Sequence, residues 1–167
     1  MRATADKLGH MSDQPPSLKE RLRADLTTAI KGRDKVRSST IRMVLTAISE
    51  AEVAGSEAKV LSDQQVLDVV IREAKKRREA EEAYAAAGRA ELVEREHAEG
   101  EVLADYLPAQ LSAEEITAIV SEAIAASGAA TLGLKGMGRV MGLVTPQTKG
   151  KADGATVAAE VRRQLAG

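Results

Sequence analysis

The chain has 167 residues, enough for one ordinary domain or two small ones, with 44% hydrophobic, 29% charged and 1% aromatic residues and no Phe, Trp or Cys. A formal net charge of -1 gives the whole chain no pull toward nucleic acid, so any such affinity must come from a local patch, and the missing cysteines exclude a disulfide framework, a thiolate nucleophile and a Cys-based zinc site. A core built without Phe or Trp must use Ala, Leu, Val, Ile and Met, a helical composition, because sheets favour aromatic and β-branched residues.

Residues 1–16 are polar, show no periodicity and end in Asp13-Gln14-Pro15-Pro16, so they read as a disordered tail in which Met11 is an alternative start. Met1 to His10 lacks the apolar stretch of a secretory signal and no window has the length of a membrane span, so a cytoplasmic chain with no membrane partner is expected. Folded sequence begins at Ser17, which forms a capping box with Glu20, followed by Leu18, Leu22, Leu26, Ala29 and Ile30 at helical spacing up to a stop at Gly32. A second helix is predicted from about Asp34 to Gly55 with Ile41, Val44, Leu45 and Ile48 as its apolar stripe.

A third helix is predicted from about Ser62 to Ala87 and a fourth from about Arg89 to Tyr106, turning at Gly88 to make a long antiparallel hairpin. Far from the turn Leu67, Val70, Ile71 and Ala74 should meet Val102, Leu103 and Tyr106. Nearer the turn the inner stripe is charged, and residues equidistant from Gly88 should pair, Arg77 and Arg78 with Glu96 and Glu99, and Glu81 with Arg95. Pro108, within Leu107 to Leu111, interrupts the pattern and marks the expected boundary between an N-terminal helical domain, residues 17–107, and a small C-terminal three-helix domain, residues 108–167. The latter should hold a helix capped by Ser112 and Glu115 with Ile116, Ile119, Val120 and Ile124, a short helix through Met137 to Leu143 closed by Pro146, and a last helix from Asp153 to Leu165 with Val157, Val161 and Leu165 inward. The fold class is all-α.

Several stretches resemble the YqeY family, whose C-terminal unit is similar to the tail of GatB, the B subunit of the tRNA-dependent amidotransferase. They are Ser39 to Met43 (STIRM), Glu73 to Glu79 (EAKKRRE), Gly88-Arg89 followed by Glu96 to Glu99, Tyr106 to Ser112 (YLPAQLS), Gly136 to Met141 (GMGRVM) and Lys149 to Gly154 (KGKADG), in the family's order. The resemblance implies two helical units and an association with glutamine-dependent carbon-nitrogen ligation on mischarged tRNA. In that enzyme the tail unit touches tRNA and the chemistry lies in other parts, whose counterparts are not found here.

No catalytic set emerges. Glutamine hydrolysis needs an activated nucleophile and carboxylate activation needs phosphate and magnesium ligands, whereas Ser38-Ser39-Thr40 lies beside an apolar stripe, where hydroxyls bond the preceding turn. His97, among Glu94, Glu96 and Glu99, is expected in an ion-paired face rather than a metal site. Gly136-Met137-Gly138-Arg139-Val140-Met141-Gly142 has the look of a dinucleotide fingerprint, but no strand precedes it, so it reads as a helix start where small residues permit close packing, and no cofactor is expected.

Two basic stretches remain. In Arg72, Lys75, Lys76, Arg77 and Arg78 the hairpin partners should neutralise at least Arg77 and Arg78. From Gly133 to Gly154, Lys135, Arg139, Lys149 and Lys151 stand against Asp153 alone, among glycine-rich turns. These residues alone fit either a solvated loop or a phosphate site; the resemblance favours phosphate contact. The expected function is a non-catalytic tRNA-binding accessory module that holds structured RNA by its backbone, with an amidotransferase or other protein as a further partner and no DNA. The alternatives are a subunit in glutamine-dependent amidation and a helical adaptor that binds only protein.

Overall fold

A computed structural model describes residues 14–167, so the tail and alternative start read at residues 1–13 lie outside the described residues. The described chain is all-helical, with α1 Leu18–Lys31, α2 Lys35–Val53, α3 Asp63–Ala86, α4 Ala90–Ala104, α5 Ala113–Ser127, α6 Met137–Thr148 and α7 Gly154–Ala166. Two short 3₁₀ segments, Ala129–Thr131 and Gly133–Gly136, join α5 to α6.

Helix starts follow the local chemistry. Ser17 and Ser112 each accept from the amide three residues on, and Glu20 and Glu115 reach back to the cap amides. Ser62 and Gln65 exchange the same two bonds at α3, and Asp34 and Asp153 cap α2 and α7. One end differs from expectation: α6 runs through Pro146 to Thr148. The bond lost is the one to the Gly142 carbonyl, and both residues are exposed, so water can satisfy that group.

The chain divides into two compact units after Val66, four residues into α3. In the first, α1 packs on α2 and buries Leu22, Ala29, Ile41, Val44 and Ile48. Ile30, expected in the apolar stripe, is instead exposed. Lys19 meets Glu52 at 2.7 Å, and the Glu52 carboxylate also accepts from the Leu61 amide at 3.2 Å, so the chain leaving α2 is held against its last turns.

In the second unit α5, α6 and α7 enclose Ile116, Val120, Ala123, Ala129, Val140, Val144, Val157, Val161 and Leu165. The expected boundary at Pro108 falls inside this unit, because the residues after it are tied to the far end of the chain. Leu111 N donates to Lys151 O at 2.8 Å and Gln110 Nε2 to Gly150 O at 2.9 Å, while α3 reaches the same region through Asp68 and Arg78.

The hairpin pairing differs in register from the expected one. Arg77 meets Glu99 at 2.8 Å and Glu96 at 3.7 Å, but Arg78 turns away to Asp153 at 3.3 Å. Glu81 faces His97 at 3.2 Å, and Arg95 folds along its own helix to Glu99 at 3.5 Å.

Candidate nucleic-acid interface

The four cations expected to contact phosphate are carried by the turns at the two ends of α6. Before it, Gly136 is buried, and a methyl group there would lie 2.9 Å from the Ala129 β-carbon, so the reversal between the 3₁₀ segments closes only around a hydrogen. That tight reversal leaves Lys135 on the surface and Arg139 in the first turn of α6. Arg139 Nη1 donates to Ser127 O at 3.3 Å, placing a cation at the carbonyl end of α5, where the helix dipole favours it. Lys135 is exposed and has no ion pair among the described residues.

After α6, Gly150 takes a left-handed φ of 75° and a β-carbon there would sit 2.9 Å from Ile71 Cδ1. On either side of it Lys149 Nζ meets Asp68 at 3.0 Å, whereas the Lys151 side chain is exposed and without an ion pair among the described residues. The four residues therefore form two pairs at opposite ends of the 12-residue α6, which is about 18 Å long at 1.5 Å per residue, rather than one cluster. Asp153, which stood as their one local counter-charge, accepts from Thr156 as the α7 cap and meets Arg78.

Leu132 and Leu134 are exposed next to Lys135, a feature not anticipated from the helical pattern because the 3₁₀ segments follow no 3.6-residue period, and Leu143 is exposed on α6.

The remaining candidates resolve into structural roles. The hydroxyls of Ser38 and Ser39 donate to the carbonyls three residues back, at 3.2 and 3.1 Å. In the α3 basic run Lys75 meets Glu79, Lys76 meets Glu73, and Arg77 lies among Glu73, Glu96 and Glu99, so most of that charge is internally compensated. His97 sits between Glu81 and Glu101 at 3.2 and 3.1 Å, and no set of three ligating side chains suited to a metal is found among the described residues.

A shallow groove of about 380 Å³ between α5 and α7 contains Ile116, Thr117, Glu160 and Arg163. Glu160 accepts from Arg163, Gln164 and Thr117, and these bonds hold its carboxyl at about 2, with Arg163 the largest cause. Glu52 and Glu91 are likewise lowered, by Lys19 and Arg89 respectively. A lowered carboxylate held by a cation is a structural ion pair, opposite to the raised carboxylic acid that general-acid chemistry requires.

The model of the family described as Yqey-like protein matches residues 19–165. The chain belongs to the YqeY family. It is also 35% identical to an uncharacterized protein of Schizosaccharomyces pombe over 98 residues, covering 58% of this chain and 77% of that protein. The YqeY match spans both compact units, and the segments that carry the resemblance fall at α2, α3, the Gly88 turn, the linker after α4, α6 and the turn into α7. Two of them, GMGRVM and KGKADG, supply the turns and three of the four cations just described.

Proposed function

We propose that this chain is a non-catalytic accessory module that takes a structured RNA, tRNA in the first instance, by its sugar-phosphate backbone. The observation that carries the reading is the pair of exposed ammonium groups, Lys135 and Lys151, left without carboxylate partners among the described residues on glycine-held turns at opposite ends of α6. Cations fixed on rigid turns suit phosphates, which position a protein on RNA without reading sequence. With Tyr84 and Tyr106 as the only aromatics in the chain and Tyr106 buried, base stacking has little to stand on, and shape and backbone are the recognisable features. The similarity of the C-terminal residues to the tail of the amidotransferase B subunit supports tRNA as the first RNA to test.

The test is a titration of the purified chain with total tRNA across a salt series. Affinity should fall steeply with salt, and the double variant Lys135→Ala/Lys151→Ala should flatten the log-log slope by about two, one per lost phosphate contact. Lys149→Ala should do less, because Asp68 already holds that ammonium. Absence of salt-dependent binding by the unaltered chain at low ionic strength overturns the reading. Glutaminase activity of the isolated chain should be nil, and turnover would overturn its non-catalytic part. A second reading, a protein-binding adaptor, is favoured by the exposed Leu132, Leu134 and Leu143, and predicts a partner retained at high salt.

A further inference from the structure

The first unit carries a basic surface that the proposed site does not include. Between Asp25 and Glu50 the chain has five cations, Lys31, Arg33, Lys35, Arg37 and Arg42, and one acid, Asp34. That acid is already used: its carboxylate caps α2 through the Arg37 amide at 3.0 Å and faces the Arg37 side chain at 3.8 Å. Lys31, Arg33, Lys35 and Arg42 are exposed and make no ion pair among the described residues. Along α2, Lys35, Ser39, Arg42, Thr46 and Ser49 follow at steps of four, three, four and three, which aligns them on one face about 21 Å long, and all five are exposed. From Lys35 to Ser49 this face has no carboxylate and no apolar side chain; one step further on, the exposed Val53 ends it.

The backbone gives an independent reason to assign it a ligand. The α1–α2 and α3–α4 turns close with the same pair of bonds: Arg33 N to Ile30 O and Asp34 N to Ala29 O in one, Gly88 N to Ala85 O and Arg89 N to Tyr84 O in the other. This helix ending needs a left-handed residue at its pivot, normally glycine. The α3–α4 turn has Gly88 there, with φ 70°. In the α1–α2 turn the glycine stands one residue early, at Gly32 with an ordinary φ of -79°, and Arg33 takes the left-handed position at 56°. A turn chosen for stability alone would exchange the two. The strained position instead holds a guanidinium at the head of the donor face, and strain of this kind concentrates at functional sites.

We infer that the α1–α2 turn and the exposed face of α2, with Arg33, Lys35 and Arg42 as its cations, form a second contact surface for the RNA backbone. It rests on the RNA reading above. RNA is favoured over an acidic protein because the face lacks the apolar centre of a protein interface; Ile30 and Val36 are exposed beside the turn but off this face, and Val53 stands at its far end, away from the cations.

The experiment uses the full chain and total tRNA in the same salt series. Lys35→Ala/Arg42→Ala should lower the slope by about two and weaken binding at low salt. If that variant binds as the unaltered chain does while Lys135→Ala/Lys151→Ala loses affinity, this inference fails and the C-terminal reading stands; the converse sinks the C-terminal placement and keeps this one. No salt-dependent binding by the unaltered chain overturns both. Arg33→Gly relieves the left-handed strain, so its melting temperature should hold or rise while its slope falls by about one; unchanged RNA affinity would remove Arg33 from the surface. If polyglutamate binds as tightly as tRNA and is lost in the Lys35/Arg42 variant, the surface serves an acidic protein and the inference is wrong.

Discussion

Among single residues, Arg77 holds the most charge in place. Its guanidinium lies 2.8 Å from Glu99, 3.4 Å from Glu73 and 3.7 Å from Glu96, and its side chain is only 16% exposed. Lys76 and Arg95 meet two of these glutamates from solvent, which balances three carboxylates with three cations. Removing the central cation leaves largely buried carboxylates facing only exposed, mobile partners, and such deletions cost far more than the pair contributes. Arg77→Ala should therefore destabilise by about 3 kcal/mol in urea unfolding, against less than about 1 kcal/mol for Arg78→Ala, whose bond to Asp153 is exposed to water. Equal effects would refute this assignment. The pairing was partly legible: Arg77 and Glu99 are each eleven residues from Gly88, so the equidistance rule finds them. It fails for Arg78 because each helical residue rotates the side chain by about 100°, which carries Arg78 off the inner face.

At the level of elements, the glycine segment that opens α6 shows how similar residues do different work. Gly136 packs against Ala129, whereas a β-carbon at Gly138 or Gly142 would meet nothing within 4 Å. Gly136→Ala should destabilise by about 1 to 3 kcal/mol through overpacking, while Gly138→Ala should stabilise by about 0.5 to 1 kcal/mol, because helical glycine is costlier than alanine. Thermal melts of the two variants shifting in the same direction would contradict this. The reading of the segment as a packed helix start was available from sequence, since no strand precedes it. Which glycine is essential was not, because that depends on Ala129 returning through a 3₁₀ turn. Capping boxes at Ser17 and Ser112 were legible because all their bonds lie within four residues. The left-handed Arg33 was hidden because the adjacent Gly32 offers the expected stop signal and does not take the expected conformation.

For the whole molecule, composition was enough to read an all-helical chain, but not where it divides. The ties that place the residues after Pro108 in the second unit, such as Lys149 to Asp68 and Arg78 to Asp153, join positions far apart in sequence. The same distance effect split the basic patch, since residues close in number are held apart by the rigid length of α6. No helix among the described residues is long and apolar enough to cross a membrane. The charges that hold each unit together also fix its response to acid. Glu52 in the first unit and Glu91 and Glu160 in the second are all lowered from their usual value of 4.5 by adjacent cations, Glu160 to about 2. A carboxylate that binds its proton less tightly when folded favours the folded state at every pH above its unfolded value. Protonation removes that advantage as pH drops through the folded value, so for Glu160 the loss falls between about 4.5 and 2. Melting temperature should decline across this window. Glu160→Gln should lower it at neutral pH, where Arg163 loses its partner, yet make the decline shallower. High salt should shrink the difference, because the pair is open to solvent. Parallel melting curves for Glu160→Gln and the unaltered chain from neutral pH to below 3 would show that this ion pair does not set the acid response.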